Sequence, residues 1–177
     1  MTLDQAFPNP ERLLFPPAGY ASRVPMVPEA YELVLVGPDY LGREAWLTPE
    51  TAKAWQTMRD AALAEGVELW LVSAFRSIVR QRELLMAKLA KGMTLEAALE
   101  YSAFPGYSEH HSGRAIDIGT PGSPVLEEEF ELTTAFCWLQ ERAGEFGFHM
   151  TYPRDNPHGI AYEPWHWCLR SSSLPLA

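Results

Sequence analysis

The stretch SEHHSGRAID, residues 108–117, places two adjacent histidines a few residues before an aspartate that lies between two isoleucines. If RAIDI forms a strand, its alternation puts Ala115 and Asp117 on one face and Ile116 and Ile118 on the other. A carboxylate on an interior strand is costly unless it is paired, hydrogen-bonded or bound to a metal. The stretch therefore predicts a strand that carries a buried Asp117 in need of a partner.

The stretch YEPWHW, residues 162–167, poses the same problem near the end of the chain. Glu163 and His166 lie within an aromatic run that would otherwise belong to the core. Pro164 biases Glu163 away from helical geometry, so we expect an extended or turn segment that enters a strand. This second stretch predicts another ionisable pair inside the fold.

Two histidines and one carboxylate with an open fourth position are the ligand set of a catalytic zinc site. A further glutamate can serve as the base for the bound water. The candidates are one of His110 or His111, then Asp117 and His166, with Glu163 as the base. The residues alone leave open which adjacent histidine takes part, and whether the cluster binds zinc or forms a polar network in the core.

Helix and strand signals are mixed along the chain without a repeating strand–helix unit, which predicts an α+β fold. Strands are expected at 31–37, 67–73 and 148–152, and helices at 78–91, 94–100 and 127–146. Another helix is expected to begin at Thr48-Pro49-Glu50 and to end near Gly66. Residues 1–30 hold six of the 15 prolines and predict an irregular arm. We expect a single domain, with the arm 1–30 preceding residues 31–177.

Composition argues against several classes of function. The net charge is −9 and the 14 basic residues are scattered, so nucleic acid is not an expected partner. No stretch approaches the roughly 20 apolar residues of a membrane span. The N-terminus lacks the features of an export signal. These features predict a cytoplasmic protein, or a periplasmic or extracellular one if a leader has been removed. Cys137 and Cys168 fit neither a disulfide framework nor a CxxC metal pair, and both are expected to be buried or half-buried thiols.

The order S-A-F-R-S, then S-E-H-x-S-G-x-A-x-D, then Y-E-P-W-H-W resembles the zinc D-alanyl-D-alanine carboxypeptidases and dipeptidases of the VanY and VanX type. The connecting GF-x-x-x-YP-R-D also matches that pattern, and the resemblance runs from about residue 47 to residue 169. It implies the small α+β fold shared with the Hedgehog signalling domain, an antiparallel sheet with flanking helices. It also implies one zinc ion per chain.

The resemblance assigns roles to individual residues. His110, Asp117 and His166 would be the zinc ligands, and Glu163 the catalytic base; the family separation of six residues between histidine and aspartate selects His110 over His111. Arg76 would contact the substrate carbonyl oxygen as it becomes an oxyanion. Further contributions to the substrate site are expected from Ser108 and Trp165.

Three positions depart from the family pattern, namely Phe75, His158 and Cys168. They leave every proposed ligand and the base in place, but they lie beside them and bear on substrate preference. Tyr152, Asp155 and His158 are interpreted as loop and turn residues.

The expected function is hydrolysis of the C-terminal D-amino acid of peptidoglycan stem peptides or their D-Ala-D-Ala-terminated precursors. Within the same chemistry, D,D-dipeptidase and L,D-carboxypeptidase activities are alternatives. More remote ones are an endopeptidase that cuts between L-alanine and D-glutamate, and a catalytically silent cell-wall binding domain. The silent domain would require the loss of a ligand or of the base, and the sequence retains all four.

Overall fold

The computed structural model describes residues 15–170, which combine antiparallel sheets with flanking helices, as predicted for an α+β fold. In chain order the strands and α-helices are β1 (Val34–Pro38), β2 (Glu44–Leu47), α1 (Pro49–Ala64), β3 (Trp70–Ser73), α2 (Ile78–Ala90), α3 (Leu95–Glu100), β4 (Ala115–Gly119), α4 (Thr134–Arg142), β5 (Phe148–Met150) and β6 (His166–Leu169). Short 3-10 helices occupy Glu109–Ser112, Glu128–Leu132 and Ala143–Phe146.

Hydroxyl side chains cap the N-termini of all four α-helices between residues 15 and 170. Thr48 accepts a hydrogen bond from the backbone N–H of Thr51, and Pro49 follows at the first helical position. Ser77 caps α2 and Thr94 caps α3 in the same way. Each cap satisfies an N–H group that has no partner within its helix. The helix starts predicted from Thr48 and Thr94 are confirmed.

A four-stranded antiparallel sheet in the order β3-β4-β6-β5 forms the centre of the domain, and β1 and β2 form a separate hairpin. On β4, Asp117 is the register partner of Ser73 on β3 and of His166 on β6. Directly opposed residues of antiparallel strands have Cβ atoms only about 5 Å apart. The register therefore brings two distant parts of the chain to one point.

The two faces of β4 differ as the sequence alternation predicts. Ile116 and Ile118 are fully buried in the main apolar core, together with Trp55 and Met58 of α1 and Leu139 of α4. Asp117 projects from the opposite face into a cavity. A second apolar cluster joins the N-terminal segment to α2 and to the loop before the SEHHSGRAID motif; its buried members are Tyr20, Val24, Leu85, Ala98, Leu99, Phe104 and Tyr107.

The prediction of one continuous helix over residues 127–146 is wrong. This region contains the 3-10 helix Glu128–Leu132, then α4, then the 3-10 helix Ala143–Phe146. Thr133 separates the first 3-10 helix from α4, because its backbone is extended, with φ −92° and ψ 155°. Its hydroxyl caps α4 by accepting a hydrogen bond from the N–H of Phe136 at 3.1 Å. A threonine in this position stabilises a new helix start more effectively than the middle of a helix.

The N-terminal arm was predicted over residues 1–30, and its first 14 residues lie outside the described residues. From residue 15 onward the segment is irregular up to β1 and is tied to the loop before the motif. Val27 donates to the carbonyl of Gly106, and the Tyr20 hydroxyl accepts from the N–H of Phe104 at 2.9 Å. None of the helices between residues 15 and 170 has the length and apolar character that a transmembrane segment requires.

Candidate metal centre and active site

His110, Asp117 and His166 converge on one point at the base of an open cavity. All three side chains are buried, and their candidate ligand atoms lie within 4.8 Å of one another. His110 Nε2 lies 3.2 Å from Asp117 Oδ2, and His166 Nδ1 lies 3.0 Å from Asp117 Oδ1. Two atoms bound to one tetrahedral zinc at about 2.0 Å are separated by roughly 3.3 Å. The two distances to Asp117 and the donor types fit a zinc ion.

Both imidazoles are oriented by hydrogen bonds on the side away from Asp117. His110 Nδ1 donates to the carbonyl oxygen of Ala74 at 2.7 Å, which leaves Nε2 directed at Asp117. His166 is reversed: its Nε2 lies 2.9 Å from the carboxylate of Glu109 and its Nδ1 is directed at Asp117. A fixed proton on one ring nitrogen leaves the other nitrogen available to a metal.

The charges of Asp117, His110 and His166 interact strongly because the three side chains are buried together. Burial opposes the charge on Asp117, but the adjacent His110 and His166 outweigh it and hold the pKa of the carboxyl well below its usual range. Burial also opposes a charged His166, yet its hydrogen bonds to Asp117 and Glu109 raise its pKa to about 10. A divalent metal ion held by these residues would take the place of a proton on His166 and supply the positive charge that stabilises the Asp117 carboxylate.

Glu163 lies at the cavity wall in the turn that enters β6. The turn is closed by a hydrogen bond from the N–H of His166 to the carbonyl of Glu163 at 3.1 Å, as expected for a segment that Pro164 keeps out of a helix. The Glu163 carboxylate lies 3.9 Å from His166 Nδ1. Burial raises the pKa of Glu163 to about 7. A carboxyl poised near neutrality is suited to both accepting and returning a proton.

Arg76 reaches the same cavity from the loop between β3 and α2. Its guanidinium donates to Gln81 Oε1 at 2.9 Å and to Ser73 Oγ at 3.1 Å, and lies 3.9 Å from Asp117. Gln81 in turn donates to the carbonyl of Ala103 at 2.6 Å. Sequence reasoning missed Gln81, although it follows Ile78 and precedes Leu85 at the helical spacing of a buried face.

The cavity has a volume of about 530 Å³ and is open to solvent at one side. Ser108, Arg76 and Trp165, the substrate residues predicted from the sequence, all lie on its wall. They are beside the three candidate metal ligands His110, Asp117 and His166, which are called the metal cluster below. Tyr152, which was interpreted as a loop residue, is also buried on this wall, with its ring 4.8 Å from the ring of His166. Asp155 is an exposed turn residue with φ 60°.

The side chain of His111 is not among the described residues that line the cavity. It is fully buried, and its Nδ1 donates to the carbonyl of Arg76 at 2.5 Å while its Nε2 accepts from the N–H of Gly106 at 3.1 Å. Both ring nitrogens are therefore occupied by backbone groups. Of the two adjacent histidines, His110 faces Asp117 and His111 supports the loops around Arg76.

The profile of a protein family, described as VanY, D-alanyl-D-alanine carboxypeptidase, matches residues 44–171. That span includes the metal cluster, Glu163 and Arg76 in full. The chain belongs to the VanY family. It is 32% identical over 138 residues to the bifunctional D-Ala-D-Ala dipeptidase and D-Ala-D-Ala carboxypeptidase VanXYC of Enterococcus gallinarum, an alignment that covers 75% of this chain and 72% of the relative.

Two solved structures are also similar over most of this chain. The LD-carboxypeptidase LdcB superposes with a TM-score of 0.72 at 34% identity, covering 80% of this chain and 69% of LdcB. A mutant of the D,D-pentapeptidase VanY from a VanB-type vancomycin-resistance cassette, in complex with Zn(II), gives 0.64 at 31% identity, with 81% and 82% covered. The chain spans about half the length of several other curated relatives that it matches.

Proposed function

We propose that this VanY-family chain is a zinc-dependent D-alanyl-D-alanine carboxypeptidase that removes the C-terminal D-amino acid from peptidoglycan stem peptides or their precursors. The observation that carries the proposal is the convergence of two imidazoles and a carboxylate at the base of an open cavity, with Glu163 beside them. The family description and the Zn(II) complex of the VanY mutant support it. Location in the cytoplasm stays a prediction.

The proposed zinc ligands are His110 Nε2, an Asp117 carboxylate oxygen and His166 Nδ1. When bound, zinc supplies a Lewis acid that lowers the pKa of water and polarises a carbonyl group. Glu163 is the proposed base: its carboxylate accepts a proton from the attacking water and, as a carboxylic acid, returns it to the leaving amine. Its position 3.9 Å from His166 Nδ1 supports this role.

Arg76 is the proposed partner of the carbonyl oxygen as negative charge develops on it. The hydrogen bonds from Arg76 to Gln81 and Ser73 hold the guanidinium in one position before substrate arrives. Such preorganised donors stabilise a transition state without any cost of reorganisation. Ser108 and Trp165, on the same wall, are the proposed contacts of the substrate peptide.

L,D-carboxypeptidase activity on tetrapeptide stems is a second candidate, because the TM-score to LdcB exceeds the TM-score to the VanY mutant. D,D-dipeptidase activity is a third, supported by the bifunctional relative VanXYC. All three would use the same proposed metal site, base and arginine. The L,D activity differs in the residue that precedes the scissile bond, whereas the dipeptidase activity differs in acting on the free dipeptide. A silent binding domain is disfavoured by the presence of the complete constellation.

Three defined substrates separate these activities: a pentapeptide stem ending in D-Ala-D-Ala, a tetrapeptide stem, and free D-alanyl-D-alanine. The proposal expects D-alanine release from the pentapeptide at the highest kcat/KM, with one zinc per chain by elemental analysis. Preferential cleavage of the tetrapeptide would assign the chain to the L,D class, and preferential cleavage of the free dipeptide to the dipeptidases. Purified protein that is inactive on all three with zinc bound would contradict the proposed function.

A further inference from the structure

Glu109 lies between two residues of the cavity wall, Ser108 and His110, yet it is not among the described residues that line the cavity. Its carboxylate extends from the 3-10 helix Glu109–Ser112 toward β6 and reaches His166 from the side opposite Asp117. The Oε2–Nε2 distance is 2.9 Å, and about a quarter of the Glu109 side chain, 23%, is exposed. The imidazole ring of His166 therefore lies between the carboxylates of Asp117 and Glu109.

The two carboxylates hold different nitrogens of that ring. Asp117 Oδ1 lies 3.0 Å from Nδ1, the nitrogen that is directed at the metal cluster, whereas Glu109 takes Nε2. A neutral imidazole has only one N–H group, and an acceptor at Nε2 keeps the proton there. A metal ion that takes the place of the proton shared by Nδ1 and Asp117 would therefore find the lone pair on Nδ1.

His110 provides an internal comparison. Its outer nitrogen, Nδ1, donates to the neutral carbonyl oxygen of Ala74 at 2.7 Å. The corresponding acceptor for His166 is a full negative charge from a side chain. Substitution cannot remove the Ala74 carbonyl, but it can remove the Glu109 carboxylate. Of the two imidazole ligands, His166 is the one whose orientation depends on a replaceable group.

The surroundings of Glu109 favour a fixed carboxylate over a mobile surface one. His149 of β5 and Thr151, the residue after β5, lie close enough to influence the charge of the same carboxylate. The Cys168 thiol, opposite His149 in the register of β5 and β6, also interacts with it. Glu109 therefore approaches His166 from a packed polar environment.

We propose that Glu109 is a positioning residue of the metal centre: its carboxylate accepts the Nε2–H of His166 and so fixes the tautomer and ring orientation in which Nδ1 binds zinc. This inference rests on the proposed function, since it assumes that zinc is the occupant of the cluster. It assigns Glu109 no contact with substrate. Loss of such an outer carboxylate partner weakens metal binding by about 10- to 100-fold in comparable sites.

The test is zinc affinity measured by competition with a chromogenic chelator on wild type, Glu109→Ala, Glu109→Gln and a control, Glu83→Ala, which removes an exposed glutamate on α2. We expect about 10- to 100-fold weaker binding for Glu109→Ala and less than that for Glu109→Gln, whose amide oxygen can still accept the hydrogen bond. Glu83→Ala should match the wild type. Because the glutamine is nearly isosteric, it remains informative if the alanine variant folds poorly.

Two further readouts separate positioning from a general effect on stability. The visible absorption bands of the Co(II)-loaded protein should change in Glu109→Ala and be close to wild type in Glu109→Gln. With zinc in excess, KM should stay unchanged in both variants, because Glu109 does not line the substrate cavity. Zinc affinity of Glu109→Ala within twofold of wild type would overturn the role of Glu109 alone. Wild-type protein that takes up no zinc would instead overturn the proposed function.

Discussion

Asp117 and His166, 49 positions apart in the chain, are direct register partners on β4 and β6, with 3.0 Å between Asp117 Oδ1 and His166 Nδ1. The pairing of two central strands thus fixes two members of the metal cluster relative to each other. His110 joins them from the 3-10 helix that leads into β4. Because backbone hydrogen bonds set this geometry, the cluster is positioned before any metal binds.

The adjacent histidines should respond differently to substitution. His110→Ala should lose stoichiometric zinc, because it removes a nitrogen directed at Asp117. His111→Leu should retain zinc and instead reduce the free energy of unfolding by about 1–3 kcal/mol, because it removes the hydrogen-bond partner of two partly buried backbone groups, the Gly106 N–H and the Arg76 carbonyl. Elemental analysis and urea denaturation of both variants test this. Zinc loss in His111→Leu alone would reverse the assignment.

Arg76→Lys should lower kcat by about 100-fold, because a lysine ammonium cannot reproduce the forked contacts to Gln81 and Ser73 that hold the charge in place. Arg80→Lys, on the exposed side of α2, is the matched control and should leave kcat unchanged. Steady-state kinetics on the pentapeptide substrate measure both. Equal kcat values for the two variants would exclude Arg76 from transition-state stabilisation.

The metal-free protein should show a pH dependence that originates from Glu163. Burial raises the pKa of this carboxyl to about 7 from an ordinary value of 4.5, so the folded protein binds more protons than the unfolded chain between these pH values. Stability from this group is therefore present at low pH and falls as pH rises through the window. Glu163→Gln cannot titrate, so its stability relative to wild type should increase from pH 4 to pH 8.

The size of that increase is on the order of 3 kcal/mol. Urea denaturation of chelator-treated wild type and Glu163→Gln at the two pH values gives it directly. Glu128→Gln, which changes an exposed carboxylate, controls for the loss of one negative charge. A constant difference between Glu163→Gln and wild type across the range would show that the carboxyl does not have a raised pKa in the folded protein.

Gly113 should be intolerant of a side chain for reasons of backbone and space together. Its φ is 64°, and a Cβ atom would lie 2.8 Å from Leu33 Cδ2 and 3.2 Å from the backbone nitrogen of Thr48. Gly122 also has a positive φ but has open space at the Cβ position. Gly113→Ala should therefore destabilise the fold by more than the roughly 1 kcal/mol expected for Gly122→Ala. Thermal denaturation that ranks the two variants equally would contradict this.

Much of the architecture is encoded locally. The hydroxyl residues Thr48 and Thr94 mark helix starts, and the alternation in RAIDI separates Ile116 and Ile118 from Asp117. The predicted helix over 127–146 failed because Thr133, a moderate helix residue by propensity, forms a better cap for a new helix. The hairpin strand β2 was not predicted, and its pairing with β1 joins two segments whose register no local pattern specifies.

The candidate site was visible in part. Asp117 and Glu163 were identifiable because charged residues in apolar runs require partners. From the residues alone the choice between His110 and His111 was not identifiable, since it depends on which side of a 3-10 turn each ring lies; only the family resemblance selected His110. Glu109 and Gln81 act through contacts with residues far away in sequence, to His166 and to Ala103. Such long-range partners follow from strand pairing and loop packing, which the sequence pattern does not specify.

The most direct test of the account is D-alanine release from a pentapeptide stem by zinc-loaded wild type and zinc-loaded Glu163→Gln, assayed side by side at pH 7.5. We expect kcat to fall by at least about 100-fold in the variant, with KM and zinc content close to wild type, because the variant loses only the group that moves the proton. A Glu163→Gln protein that releases D-alanine as fast as the wild type would contradict the proposed mechanism.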